Sequence, residues 1–100
     1  MRILFVGDVF GHAGRRIVGE HLAPLIEQRQ VDLVVVNAEN AAGGLGVTPG
    51  IADELFEDLD APVKRVAAMD TFVAYQPVLE DAILPQPEDL FRAIAELAKY

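Results

Sequence analysis

The chain has 100 residues, a length typical of one domain with a single core, and its 52% apolar content excludes a disordered chain. The 8 basic and 16 acidic residues give a net charge of −8, which disfavours non-specific binding to nucleic acid or to an anionic membrane. The absence of cysteine excludes disulfides, and no apolar run approaches the roughly 20 residues of a membrane span, so we expect a cytoplasmic protein.

The first half of the chain predicts a strand, a helix and a second strand. Residues 2–7 contain a short continuous apolar run, which is typical of a buried strand. A helix is predicted over 13–29, because apolar residues recur there at helical spacing: Ile17, Val18, Leu22, Leu25 and Ile26. Pro24 lies within this helix and predicts a kink, since proline lacks the N–H donor. Residues 33–37 include three consecutive valines and predict a second strand, buried on both faces.

The second half predicts a helix, a third strand and a last helix. Thr48 and Pro49 are typical of a helix start, and the helix should extend to about residue 59. Residues 63–68 predict a third strand, and its two basic residues indicate either that it lies at the edge of a sheet or that their side chains cover another part of the protein. Residues 69–85 have no strong periodicity, although 71–75 could form a short strand or an extended segment. Gln86 and Pro87 then begin the last helix, by the same logic as Thr48 and Pro49.

The order of elements is β-α-β-α-β, a loop and a final α. This alternation predicts a single-domain α/β fold over residues 1–100, with a small parallel sheet of about three strands flanked by helices and linked by right-handed crossovers. Both strand orders, 2-1-3 and 1-2-3, agree with the pattern. Because so small a sheet has open edges, we expect a homodimer that joins sheets or packs their faces together.

Polar side chains follow both of the first two strands. Asp8 comes after the first strand, and Glu39 and Asn40 come after the second. The carboxyl ends of parallel strands share one edge of the sheet, where ligands bind in open α/β folds. Carboxylate and amide oxygens there suit a divalent cation such as Mg²⁺ or Mn²⁺. The alternatives are that Asp8 caps the next helix and that Glu39 is a solvated loop residue.

Other polar residues have plainer interpretations beside the functional ones. His12 could bind phosphate or metal, but a surface position in a glycine turn is also consistent, and His21 is expected to be structural. Arg15 and Arg16 open the helix and either bind an anion or form an exposed face. A glycine cluster loosely resembles a phosphate-binding loop but lacks the Lys-Ser/Thr pair of a P-loop: Gly43, Gly44 and Gly46.

Four segments, 2–9, 14–16, 37–44 and 46–48, together closely resemble the start of the YmdB-like metallophosphoesterases, which are calcineurin-type, dimetal cyclic-nucleotide phosphodiesterases. The resemblance covers about residues 1–57. It implies that Asp8, Glu39 and Asn40 stand where that family holds its metals. The family also has a third strand ending in Gly-Asn-His and several later histidine ligands, and this sequence contains neither.

Residues 58–68, 70–71 and 77–85 are similar to a different family, the C-terminal domain of the beta subunit of thiamine-dependent 2-oxo acid dehydrogenases. The similarity covers about residues 55–100. In that family this part supports subunit assembly and docking to an acyltransferase core, and the thiamine chemistry lies elsewhere. The two resemblances meet within the helix predicted over 49–59, which implies an artificial chimera of a 1–57 segment and a 58–100 segment.

These resemblances lead to three functional hypotheses. The first is an engineered chimera without an evolved catalytic activity, which requires no cofactor and binds at most one divalent cation (Mn²⁺, Mg²⁺ or iron) weakly. The second is a divalent-metal-dependent phosphodiesterase that acts on cyclic nucleotides through Asp8, Glu39 and Asn40. The third is a protein-interaction module that uses the dehydrogenase-like segment.

Overall fold

A computed structural model describes residues 1–44, 46–57, 62–68, 77–78, 82 and 84–100. The chain divides into two compact units, Met1–Asp60 and Ala61–Tyr100. The first contains β1 (Ile3–Val6), α1 (Gly11–Arg29), β2 (Leu33–Val36) and α2 (Pro49–Phe56), and the second contains α3 (Pro87–Leu97). None of the helices in the described ranges has the length and apolar character needed to cross a bilayer. The expectation of a single domain stays a prediction.

The two strands form a parallel sheet, which confirms the predicted α/β class. β1 pairs with β2 in a register that matches Ile3 with Leu33 and Val6 with Val36. Because side chains alternate along a strand, one face of the sheet packs on the core while the other faces away from it. Ile3 and Phe5 lie on the outer face and are 53% and 66% exposed. β1 is therefore covered on one face only, and it is less buried than the sequence predicted.

The core of the first unit lies between the inner face of the sheet and the two helices. Its buried members come from the turn after β1, from α1, from the turn after β2 and from α2: Val9, Val18, Leu22, Ala41 and Leu55. The inner-face residues of the strands pack against this cluster. The predicted stripe of α1 is buried at its centre, whereas Ile17 is 55% exposed.

The C-terminal end of α1 is capped by Gln30, which adopts the left-handed conformation, and by the side chain of Arg2. Gln30 has φ 53° and ψ 54°, and its N–H donates to the carbonyl of Glu27 at 3.2 Å. The guanidinium of Arg2 donates to the carbonyl of Arg29 at 2.7 Å, which satisfies one of the free carbonyls of the last turn. Pro24 lies inside α1, as the sequence indicated. The kink at this position stays a prediction.

α2 begins where the sequence predicts it. The side chain of Thr48 accepts a hydrogen bond from the N–H of Ile51 at 3.2 Å, and Pro49 occupies the first turn. This is the arrangement that an N-cap residue provides, because the first turn of a helix has N–H groups without intrahelical partners. The helix ends at Phe56, and residues 58–61 lie outside the described residues.

The predicted third strand was wrong. Residues 62–68 form neither strand nor helix, and all seven are exposed. A strand exists only where a neighbour satisfies its N–H and carbonyl groups, and an apolar run with two basic residues does not specify such a neighbour. In the second unit, Lys64 forms an ion pair with Glu96 of α3. The possible strand at 71–75 lies outside the described residues.

The last helix was predicted correctly. At its start, the N–H of Gln86 donates to the carboxylate of Asp89 at 2.9 Å, which forms half of a capping box. Pro87 occupies the first turn, where its missing N–H costs nothing. No residue of α3 is buried, and Phe91 is 74% exposed.

Candidate metal site

A tight turn directly after β2 carries two of the three predicted ligands. The N–H of Ala41 donates to the carbonyl of Ala38 at 3.1 Å, which closes a four-residue β-turn. Glu39 and Asn40 occupy its two central positions. Ala41 is completely buried, so one end of the turn is fixed in the core. The backbone positions of the two central residues of this turn are therefore well defined.

Asp8 and Asn40 are in direct contact. The side-chain amide of Asn40 donates to both carboxylate oxygens of Asp8, with Nδ2 to Oδ1 and Oδ2 distances of 3.0 and 3.1 Å. Backbone bonds hold the two turns together, because Val9 donates to the carbonyl of Asn37 and Gly11 to that of Asn40, each at 3.0 Å. The structure thus brings residues 32 positions apart to one edge of the sheet, where the strand pattern placed them.

Glu39 is held differently. Its side chain is exposed, and its Oε1 lies 3.4 Å from the amide nitrogen of Asn37. The N–H of Glu39 also donates to the side-chain oxygen of Asn37 at 3.2 Å. Asn37 therefore holds Glu39 at both its backbone and its side chain, a role that the sequence pattern did not predict.

The glycine loop supports the turn instead of forming a phosphate cradle. The N–H of Gly44 donates to the carbonyl of Asn40 at 3.2 Å, and the N–H of Gly46 donates to that of Glu39 at 2.8 Å. These two donors are satisfied within the loop, so they are not free to bind an anion. Gly44 and Gly46 have φ of 93° and 86°, which side chains other than glycine rarely adopt.

Arg15 packs into the site through contacts that the sequence did not predict. Its Nη1 donates to the carbonyl of Ala41 at 2.7 Å, and its side chain is only 17% exposed. The buried Nε lies 3.4 Å from Oε2 of Glu54 without hydrogen-bond geometry, so this contact is an ion pair. Of the two alternatives given for these arginines, the exposed face holds for Arg16 and not for Arg15. No local pattern links Arg15 to partners so distant in sequence.

The two histidines lie outside this arrangement. His12 is exposed, and His21 is exposed on α1 with its Nε2 3.8 Å from a carboxylate oxygen of Glu20. Within the described ranges, no group of three or more His, Cys, Asp or Glu side chains could hold a metal ion. Asp8 and Asn40 bring a carboxylate and an amide together at this edge of the sheet, whereas the Glu39 carboxylate contacts Asn37.

The first unit is thus a small α/β fold whose parallel sheet carries a carboxylate, Asp8, and an amide, Asn40, at its carboxyl edge. The family model described as "YmdB-like protein" matches residues 4–62, and the chain belongs to this family. The match contains the whole of β2 and α2, together with Asp8, Glu39 and Asn40. This agrees with the resemblance seen in the sequence.

Relatives of two kinds are similar to this chain. The 2',3'-cyclic-nucleotide 2'-phosphodiesterase of Bacillus subtilis is 42% identical over 57 residues, which are 57% of this chain and 22% of the relative. The acetoin:2,6-dichlorophenolindophenol oxidoreductase subunit beta of Bacillus subtilis is 47% identical over 47 residues, which are 47% of this chain and 14% of the relative.

A plant protein is another relative of the second kind, the beta subunits. The mitochondrial pyruvate dehydrogenase E1 component subunit beta-2 of Oryza sativa subsp. japonica is 36% identical over 63 residues, which are 61% of this chain and 17% of the relative. The chain thus spans about a fifth or less of the length of the curated relatives that it matches. Similarity to a phosphodiesterase and to dehydrogenase beta subunits within 100 residues is consistent with a chimera of the two.

Proposed function

We propose that this chain is an engineered chimera without an evolved catalytic activity, and that its remaining chemical capacity is weak binding of one divalent cation. The observation that carries the proposal is the contact between Asp8 and Asn40, whose Nδ2 lies 3.0 and 3.1 Å from the two carboxylate oxygens. This pair offers oxygen ligands at the edge of the sheet. It offers too few of them to clamp a phosphate between two ions and to activate water.

The hydrogen bond within the pair also supports weak affinity. A cation that takes both Asp8 and Asn40 as ligands has to turn the Asn40 amide, because its nitrogen and not its oxygen faces Asp8. The Glu39 carboxylate contacts Asn37, and a move towards the same cation would cost that contact. Each rearrangement opposes binding, so Mn²⁺, Mg²⁺ or iron should bind as a single hydrated ion, with water completing the coordination.

Calorimetric titration with Mn²⁺ tests this proposal. We expect one site with a dissociation constant of about 10⁻⁴ M or weaker, because the ligand set has few charges. Asp8→Asn should weaken binding about tenfold, because it removes the charge at the pair. Asp53→Asn is the matched control, since Asp53 is an exposed acidic residue of α2. If the two substitutions had equal effects, the binding would be a non-specific attraction of Mn²⁺ to the net negative charge of the protein.

A metal-dependent phosphodiesterase is the second candidate. The YmdB-like match over residues 4–62 and the pairing of Asp8 with Asn40 favour it. Hydrolysis of bis-p-nitrophenyl phosphate in the presence of Mn²⁺ decides between the two. We expect no turnover above the rate with free Mn²⁺. Turnover that Asp8→Asn abolishes and Asp53→Asn preserves would overturn the proposal of an inactive chimera.

An interaction module is the third candidate, favoured by the similarity to dehydrogenase beta subunits. A pull-down with the subunit-binding domain of an acyltransferase tests it, and we expect no binding above that of an unrelated acidic protein.

We also propose that the chain is a cytoplasmic homodimer. The exposed outer side chains of β1, Ile3 and Phe5, support self-association. Light scattering coupled to size-exclusion chromatography measures the mass directly.

A further inference from the structure

Arg15 is the one side chain in the described part of the site that joins the β-turn of Glu39 and Asn40 to both helices. It belongs to α1, it donates to the carbonyl of Ala41 at 2.7 Å, and it lies 3.4 Å from the carboxylate of Glu54 in α2. Ala41 is the last residue of the turn and directly follows Asn40. The guanidinium therefore holds the residue next to Asn40, and in this way it fixes the backbone position from which the Asn40 side chain extends.

The other bonds of the turn do not replace this contact. Gly44 and Gly46 hold the carbonyls of Asn40 and Glu39, but these donors belong to the same loop and move with it. Gly11 ties the Asn40 carbonyl to the beginning of α1. Among the described residues, only Arg15 donates to the carbonyl of Ala41, and this carbonyl without a donor would have no access to water.

The geometry of the guanidinium suits this task. Arginine presents several N–H donors in a rigid, planar fork, so a bond to one partner orients the group for another. Here one arm holds the Ala41 carbonyl while Nε faces Glu54. A movement of α2 therefore changes the direction from which Arg15 holds the turn.

We propose that Arg15 is a positioning residue for the Asp8–Asn40 pair: it holds the turn so that the Asn40 amide reaches both oxygens of Asp8, and Glu54 fixes the direction of the guanidinium. Arg15 does not touch a cation in this arrangement and acts through Ala41. The inference deepens the proposed cation site and depends on it for the metal measurement. Its first consequence, the position of the Asn40 amide, applies to the metal-free protein.

The test uses nuclear magnetic resonance of the full chain without metal. The side-chain NH₂ signals of Asn40 are assigned by their loss in Asn40→Ala. In Arg15→Met we expect these signals to move towards those of a solvent-exposed asparagine. Mn²⁺ affinity should fall about tenfold, because the Asn40 amide, which must turn its oxygen towards the ion in either protein, is no longer held within reach of Asp8. Arg16→Met is the matched control, because Arg16 is the exposed neighbour on the same helix. It should change neither quantity.

The outcomes separate the two proposals. Unchanged Asn40 signals in a folded Arg15→Met protein would overturn the positioning role, whatever the metal affinity. If the original chain binds no Mn²⁺, the cation proposal fails and the Asn40 signals alone decide the role of Arg15. Should Arg15→Met not fold, Glu54→Gln decides: it keeps Arg15 but removes its charged partner. A partial shift of the Asn40 signals in Glu54→Gln supports the role, and no shift contradicts it.

Discussion

Two glycines of α1 permit a sharp test of how tightly its first turns pack against the chain that follows β1. A β-carbon added at Gly14 would lie 3.2 Å from Cγ1 and 3.3 Å from the carbonyl carbon of Val9. A β-carbon added at Gly19 would have no atom within 4 Å. Both glycines lie within the same helix, so alanine gains about 1 kcal/mol in helix propensity at each position.

The difference between the two substitutions measures the rigidity of Val9. Val9 is only 3% exposed, and its N–H is bonded to the carbonyl of Asn37 at 3.0 Å, so its backbone has little room to move. Overpacking of this kind costs about 1–3 kcal/mol. We expect Gly19→Ala to raise the free energy of unfolding by about 1 kcal/mol. Gly14→Ala should leave it unchanged or lower it by up to about 2 kcal/mol.

Urea denaturation followed by circular dichroism measures both values, and an unchanged slope with denaturant shows that the two variants unfold like the original chain. Equal stabilisation by Gly14→Ala and Gly19→Ala would refute the reasoning. It would mean that the segment of Val9 shifts at no cost, and that the turn holding Asp8 is not fixed by α1.

Substitutions at three further residues test local features. Gln30→Gly should stabilise the chain by about 0.5–1 kcal/mol, because glycine adopts the left-handed conformation of the α1 end without strain; thermal unfolding measures it. Thr48→Ala should cost about 1 kcal/mol through the lost N-cap of α2, and Thr48→Ser should restore most of it in the same assay. Arg15→Met should cost about 1–3 kcal/mol in urea denaturation, because the buried Ala41 carbonyl loses its donor.

Neighbouring residues serve as controls for these substitutions. Gln28→Gly, inside α1, should lower the free energy of unfolding by about 0.5–1 kcal/mol. This control shows whether glycine stabilises the chain at residue 30 and not elsewhere in the last turns of the helix. Destabilisation by Gln30→Gly would contradict the left-handed end of the helix. Arg16→Met should change stability by no more than about 0.5 kcal/mol, since surface substitutions rarely exceed that. A similar loss in Arg15→Met and Arg16→Met would show that charge alone, and not the bond to Ala41, is responsible.

The elements with strong local signals were predictable. The helix over 11–29 has an apolar stripe, and those at 49–56 and 87–97 have a proline in the first turn, so their existence follows from interactions within a few residues. The pairing of β1 with β2 follows from the connection through α1, because a strand, a helix and a strand form a parallel unit. The placement of Asp8 and Asn40 at one edge then needs no further information.

The remaining features depend on partners that are distant in sequence. Residues 63–68 have strand-like composition, but strand formation is decided by a neighbour that the sequence does not specify. Arg15 lies three and seven residues before the buried Val18 and Leu22, so helical spacing places it on the inner face of α1, unlike the exposed Arg16. Its partners Ala41 and Glu54 are distant in sequence, and only the fold brings them to it.

The outer side of the small sheet has a consequence for handling the protein in solution. Ile3 and Phe5 present apolar surface to water, while the excess of acidic residues makes separate molecules repel each other. Acidification that protonates the carboxylates removes this repulsion and leaves the apolar surface unchanged. Precipitation should therefore begin as the charge approaches zero, and added salt should promote it at neutral pH by screening the same repulsion.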